Sequence, residues 1–387
     1  MLKNQNIIYF ANDWNADNRT SSHHIAEQLA KYNRILYVES SGLRAPRTSL
    51  HDTKRIIRKI KNFIKGIKRI NNSVFVFSPL LIPLHRFGFI RKSNQLILVS
   101  QLRLLCRRLG FKNPILWIVI PHMVSVVGKL NEKLVVYYCV DNFSSLPHVE
   151  AFAISQYDRK LTEKANIVFT PSQPLYKEKK KINANTFLSP HGVDVRHFNK
   201  AVDIDLTVPE DIARIKKPII GFFGLIEHWV DLKLIGYIAV NKPEYSLVLI
   251  GRVAQDISYL KNIPNVYFLG PRPYEQLPAY AKAFDVALLP YVLNRQVYNA
   301  NPIKLREYLA AGRAVVSVRT PDIENFRDVV SIADSYETFL ASIDSSLREN
   351  SLAKIKSRME KVADSSWENR FENISNIVVS FLQRENK

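Results

Sequence analysis

This sequence is poor in cysteine, in long apolar runs and, through its first half, in acid. Two cysteines in 387 residues, Cys106 and Cys139, cannot build a disulfide framework, and such scarcity fits a reducing cytosol. The longest apolar stretch, Pro114 to Val127, is broken by Pro121 and His122 and is too short to span a bilayer. The opening MLKNQNIIYFANDW has a short apolar run cut by Asn12 and Asp13, so no signal peptide is expected. There is no Gly-x-Gly-x-x-Gly fingerprint, which argues against a nicotinamide enzyme, and no Gly-x-x-x-x-Gly-Lys phosphate loop. Neither a Ser-His-Asp signature nor a His-Glu-x-x-His metal spacing occurs, and no structural metal is expected.

What is present is a globular composition, 47% apolar and 23% charged, over a length that suits two domains. The net charge of +20 is lopsided. Residues 1–200 hold 32 Lys and Arg against 12 Asp and Glu, whereas residues 201–387 hold 23 of each. One half is therefore expected to face an anionic partner and the other is not.

Short apolar runs alternate with helical stretches. In the first half the runs are NIIYFA (6–11), RILYVES (34–40), SVFVFSP (73–79), ILWIVIP (115–121), LVVYYCV (134–140), NIVFTPS (166–172) and NTFLSP (185–190). The polar stretch 199–217 reads as a linker, after which the alternation resumes at 218–224, 245–251, 265–270, 286–291, 314–318 and 329–334. Buried parallel strands read this way, and the pattern predicts an α/β chain of two doubly wound parallel sheets. Ligand would bind at the carboxyl ends of the strands. The expected division is 1–198, linker 199–217, 218–365, and a final helix 366–387 packing back towards the first domain.

The strongest local signal is NANPIKLREYLAAGRAVVS (299–317). A helix starts near Pro302 or Ile303 and ends at Gly312. Lys304 and Glu307 share one face near its N-terminus, a place suited to a diphosphate, with a carboxylate one turn on for ribose hydroxyls. Spacing alone fits a surface Lys–Glu pair on a crossover helix equally well.

That segment resembles the donor-site signature of glycosyltransferase family 4 (group 1) and its GT-B relatives, particularly the teichuronic acid and exopolysaccharide branch. IIGFFGLIEHWVDLKLI (219–235), YSLVLIGR (245–252), NVYFLGPRPYEQLPAYAKAFDVALLPY (265–291) and SPHGVDVRHF (189–198) agree with it in order and spacing. The resemblance is strong from 218 to 320 and weak across the basic region. It implies a GT-B fold with two Rossmann-like domains about a cleft. The expected activity is metal-independent transfer from a nucleotide sugar, UDP in preference to GDP, to a lipid-linked saccharide. The donor set it implies is Gly221, Gly224, Arg252, Tyr291, Asn299, Asn301, Lys304, Glu307 and His191. Glu307 would hold the ribose and Lys304 the diphosphate. The family's other helix glutamate falls on Asn299, so the anomeric outcome does not carry over.

An acceptor hydroxyl needs a base if transfer inverts. Asp141, directly after LVVYYCV, is the expected one; capping of the next turn with Asn142 and Ser144 is the bland alternative. His23 and His24 are expected to touch substrate phosphate, or else to close the start of the first helix.

The run KRIIRKIKNFIKGIKRI (54–70) has eight cations, no acid and a helical isoleucine stripe. It fits a membrane surface better than nucleic acid, since isoleucines offer no stacking platform. Lys54, Arg55, Arg58, Lys59, Lys61, Lys65, Lys68 and Arg69 would face lipid. A core helix with a charged outer face is the rival. The loop PLLIPLHRFGFIRK (79–92) fits dipping into the interface and lying buried over the core equally well, and the run YKEKKK (176–181) adds charge to the same domain. The expected site of action is the cytoplasmic side of the membrane. A nucleotide-sugar epimerase on this fold and a non-catalytic membrane or nucleic-acid binding protein are the other readings.

Overall fold

Near-continuous apolar runs become strands buried on both faces. The computed structural model describes residues 1–15, 20–40, 66–79, 88–146, 149–349 and 351–385. The chain forms two compact units, one of Met1–Pro190 with Arg370–Lys387, the other of His191–Asn369.

The first unit holds β1 (Asn6–Ala11), β2 (Arg34–Glu39), β3 (Lys68–Arg69), β4 (Val74–Phe77), β5 (Ile115–Ile118), β6 (Leu134–Tyr138), β7 (Ile167–Thr170) and β8 (Thr186–Leu188). They lie in the order β3-β4-β2-β1-β5-β6-β7-β8, and every pair is parallel except β3 with β4. Its helices are α1 (Ser21–Ala30), α2 (Gly88–Leu109), α3 (Ala151–Lys164) and α4 (Gln173–Lys180). Alternate strand residues serve opposite faces. Ile8, Phe10, Leu36 and Val38 enter one apolar cluster, while Tyr9 and Tyr37 stack on the other side with centroids 5.4 Å apart. Strand order reverses between β1 and β5, a topological switch point.

The second unit holds α5 (Val195–Asn199), α6 (Glu210–Ala213), β9 (Ile219–Phe223), α7 (Leu232–Asn241), β10 (Ser246–Ile250), β11 (Val266–Gly270) and α8 (Leu277–Ala283). It continues with β12 (Val286–Leu289), α9 (Arg295–Asn299), α10 (Ile303–Ala310), β13 (Ala314–Val318), β14 (Ser331–Ala333), α11 (Tyr336–Arg348) and α12 (Leu352–Lys361). The all-parallel order is β11-β10-β9-β12-β13-β14, with its switch point between β9 and β12. Two clusters sandwich the sheet. Ile219, Phe223, Val248 and Leu289 face one, and Ile220, Phe222, Leu247 and Leu288 face the other. Gly221 sits within β9 because a Cβ there would lie 2.2 Å from the Phe284 ring. It is a packing residue, not the donor-approach glycine expected. The last helix, α13 (Trp367–Glu385), counts with the first unit from Arg370 onward. There Phe371 stacks on Tyr32, and the Ser375 hydroxyl accepts the Leu2 N–H at 3.1 Å.

The structure corrects several local readings. The stretch 199–217 is no free linker. Phe198, Ala201 and Ile212 are buried in the second unit's core, and Lys282 Nζ donates to the carbonyls of Asp203, Ile204 and Leu206. Ala201 and Ile212 point inward while Val202 and Ile204 are exposed, a difference that a hydropathy average hides.

Residues 54–65 of the basic run, with Lys54, Arg55, Arg58, Lys59, Lys61 and Lys65, lie outside the described residues. Lys68 and Arg69 are not helical: they form edge strand β3, antiparallel to β4, after Gly66 at φ +71°. A turn closed by the Asn71 carboxamide, which accepts the N–H groups of Ser73 and Val74, drives that hairpin. Of the loop 79–92, residues 80–87 lie outside the described residues, and Gly88 already opens α2.

Nor is 176–181 a wholly solvated run. Lys179 is buried, its ammonium 2.5 Å from Asp158 and 5.3 Å above the Tyr137 ring; the Tyr137 hydroxyl donates to the same carboxylate. Lys179→Ala should therefore destabilise the protein by about 3 kcal/mol in urea unfolding, because it strands a half-buried carboxylate. Lys179→Met/Asp158→Asn should recover much of that loss; a single variant as stable as wild type would contradict the pairing.

Candidate functional site

The carboxyl end of the second sheet gathers most of the expected donor residues. Gly224 follows β9 with φ +151°, and Gly251 follows β10 with φ +140°, both favouring glycine. A Cβ on Gly251 would lie 1.8 Å from the Gly224 carbonyl oxygen, so only glycine lets these strand ends cross so closely. A Cβ on Gly224 would lie 3.3 Å from Lys304 Cε, which places the Lys304 stem beside the β9 turn. Gly251 went unnoticed in the sequence, although it stood in the YSLVLIGR string.

Helix α10 starts after Pro302, and its first-turn N–H groups have no carbonyl four residues back. Lys304 Nζ bonds Glu307 Oε2 at 2.9 Å and lies 5.4 Å from the Phe223 ring centre. Glu307 is buried while Lys304 is partly exposed. Tyr291, just past β12, has its hydroxyl pKa pushed up by burial and then by the Glu307 charge. The Tyr308 hydroxyl accepts the Phe223 N–H at 2.8 Å and pins the end of β9. Arg252 stands exposed beyond Gly251, and its side chain makes no hydrogen bond or ion pair among the described residues. Glycines, a cation, a carboxylate and a helix N-terminus thus meet at the β9/β12 switch point. Such a set can take a diphosphate and hydroxyl groups.

Two expected sugar contacts serve the scaffold. Asn301 is buried; its Oδ1 accepts the His191 N–H at 2.8 Å, and its Nδ2 donates to Asp322. Asn299 Nδ2 donates to the Arg295 carbonyl at 2.6 Å, closing α9 on itself. His191 is buried with its ring 6.5 Å from Trp367. Also unforeseen is the buried Arg306–Asp322 pair, 3.6 Å apart, in which burial pushes the Arg306 pKa down. Equally absent from the sequence reading is a bond between His228 Nε2 and Gln296 Oε1, at 3.0 Å, joining the loop after β9 to α9.

In the first unit, Asp141 lies three residues past β6, half-buried. Its Oδ1 accepts the Asn142 N–H at 2.7 Å, and Ser144 Oγ donates to Asn142 Oδ1. The expected turn interactions are therefore present. Burial nevertheless raises the Asp141 pKa from 3.8 to about 6, and the Asn142 N–H offsets that only in part. His23 is a structural residue: its Nδ1 meets Thr20 Oγ1 at 3.1 Å in a capping box, and its Nε2 lies 3.0 Å from the Asp13 carbonyl. Both ring nitrogens thus have partners at the helix start, as the alternative reading of His23 has it. The His24 N–H bonds Thr20 O, in the same first turn of α1. Glu39, hidden in a strand run, is a buried carboxyl at the end of β2 that accepts from Trp14 N–H and Ser78 Oγ. Burial and then the nearby Asp13 act to raise its pKa, against those two hydrogen bonds. Among the described residues no group of three His, Cys, Asp or Glu is placed to hold a metal ion.

Comparison with known proteins agrees with this geometry. Residues 213–348 match the family described as Glycosyl transferases group 1. Whole-chain structural similarity is high to the sucrose-phosphate synthase of Thermosynechococcus elongatus, with a TM-score of 0.73 and 14% identity over 98% of this chain and 100% of that one. Anabaena HepE, solved in complex with UDP and glucose, gives a TM-score of 0.67 and 14% identity over 97% and 99%. The chain thus has the GT-B fold, and its residues 213–348 are similar to group 1 glycosyltransferases. Among characterised sequences it is 27% identical to TuaH of Bacillus subtilis (strain 168), whose name assigns it to teichuronic acid biosynthesis as a glycosyltransferase. That match covers 53% of this chain and 55% of TuaH, so the chain spans about half the length of the curated relative it matches.

The Asp141 environment predicts a pH signature. Between pH 3.8 and about 6 the folded protein keeps a proton that the unfolded chain has released. Stability should therefore fall as pH rises through that window and stay lower above it. Asp141→Asn should stabilise the protein at pH 7 by about 1–3 kcal/mol and by almost nothing below pH 4. Urea unfolding at both pH values checks this; a destabilised variant at pH 7 would show that the ionised carboxylate holds the turn.

Proposed function

We propose that this chain is a glycosyltransferase that moves a sugar from a nucleotide sugar, UDP-linked in preference to GDP-linked, to a lipid-linked or polysaccharide-precursor acceptor. The single observation that carries the reading is the Lys304–Glu307 pair at the first turn of α10, beside Gly224, within the segment matching group 1 glycosyltransferases. The TuaH likeness supports a role in cell-surface polysaccharide synthesis. The lopsided charge supports an acceptor at an anionic membrane, reached from the cytoplasmic face.

In this reading Lys304 and the α10 N-terminus offset charge on the departing diphosphate. Glu307 accepts hydrogen bonds from the ribose hydroxyls once nucleotide draws Lys304 towards phosphate. Arg252, exposed and unpaired among the described residues, adds a second cation. No metal takes part, because these groups supply the positive charge. Asp141 is the base: with a pKa near 6 it is ionised at neutral pH yet basic enough to accept the acceptor hydroxyl's proton.

Incubation with labelled nucleotide sugars and bacterial membrane extract tests the reading: label should pass into a lipid-extractable product. Asp141→Asn should lower kcat at least 100-fold, on the scale of general-base loss, and leave nucleotide affinity unchanged. Lys304→Ala and Glu307→Gln should weaken UDP binding by roughly tenfold each. Isomerised sugar without any acceptor, or full turnover by Asp141→Asn, would refute the assignment.

A further inference from the structure

Helix α2 shows apolar side chains where a solvent-facing helix ordinarily carries polar ones. Its buried residues Leu98, Val99, Leu102 and Leu105 fall on one side at helical spacing and join the first unit's core. The opposite arc holds Leu96, Ile97 and Leu104, which are 69%, 38% and 48% exposed. Single exposed leucines are common, but three large aliphatics on one arc of one helix form a patch. Cations border it: Lys92, Arg103, Arg107 and Arg108 are all exposed on the same half of the helix. Gly88–Leu109 contains no Asp or Glu at all. At 22 residues the helix is roughly 33 Å long, enough to lie along a surface.

We propose that this face of α2 docks the chain on an anionic lipid bilayer. Leu96, Ile97 and Leu104 enter the boundary between headgroups and acyl chains, and the four cations meet lipid phosphates. Charge complementarity selects this occupant. Two copies of the face would bring like charges together, and aliphatic side chains give nucleic-acid bases nothing to stack on. The inference deepens the membrane part of the proposed function and rests on it. It moves the contact from the 54–70 run alone to a helix whose exposed side chains are defined.

Flotation of the full chain with vesicles tests it. The wild type should float with mixed phosphatidylglycerol and phosphatidylcholine vesicles, less so at high salt, and should stay behind with pure phosphatidylcholine. Leu96→Ser/Leu104→Ser should weaken partitioning on the order of tenfold. Lys92→Gln/Arg107→Gln/Arg108→Gln should weaken it on the order of 100-fold. All substituted positions are exposed, so thermal melts should match wild type. If both variants float normally while neutralising the cations of 54–65 abolishes floating, the α2 assignment falls and the membrane reading stands. If the wild type binds no vesicle, both fall. A wild-type dimer that ignores vesicles and that Leu96→Ser/Leu104→Ser splits would make the face a self-interface and overturn the proposal.

Discussion

The close crossing of two backbone turns organises the second unit's site. At Gly251 the end of β10 lies nearer to the Gly224 backbone than any Cβ allows. The Gly224 N–H bonds the Ile250 carbonyl and the Gly251 N–H bonds the Gly270 carbonyl, so the approach adds hydrogen bonds and strands no buried donor. This leaves room at the strand ends for Lys304, whose stem runs alongside Gly224. A side chain at Gly251 would push the two turns apart, and one at Gly224 would press on the Lys304 stem and the Phe222 ring.

A second constraint holds the other wall. The turn before α10 is irregular backbone, and irregular backbone keeps its shape only when its polar groups are bonded. Asn301 does this with both ends of its amide, accepting from the His191 N–H and donating to Asp322. Asp322 in turn faces the buried Arg306. A buried pair of this kind is weak evidence for stability but good evidence for position, since removing either member leaves the other charged and dry. The network aims the first turn of α10, and Lys304 and Glu307 take their places from it.

The two parallel sheets follow from patterns legible in the chain, because parallel strands covered on both faces read as unbroken apolar runs, whereas the order of the strands does not. Lys304 and Glu307 were legible for a related reason: loop, proline, helix and strand follow in close succession at 299–317. What stayed hidden was side-chain partnership. Asn301 and Asn299 looked like sugar contacts because a buried amide and a ligand-binding amide are the same letter. Lys179 looked solvated because its partner Asp158 is remote in sequence. The stretch 199–217 looked like a linker because its two fully buried apolar residues, Ala201 and Ile212, are outvoted by their polar and exposed neighbours. Hydropathy reports composition, and burial depends on direction.

Asn299 shows how far a structural demand reaches into chemistry. Its amide nitrogen donates to the Arg295 carbonyl at the end of α9, a five-residue helix with few other bonds to close it. A glutamate, as in the resembled signature, carries no donor and would leave that carbonyl to find another partner. The residue at 299 therefore suits the helix that ends there. A carboxylate for the transferred sugar, if the reaction needs one, has to come from elsewhere. The His228–Gln296 bond ties the loop after β9 to α9. In the proposed reading, nucleotide recognition at Lys304 and Glu307 is thus separable from sugar recognition. The second can diverge while the first keeps the family's pattern.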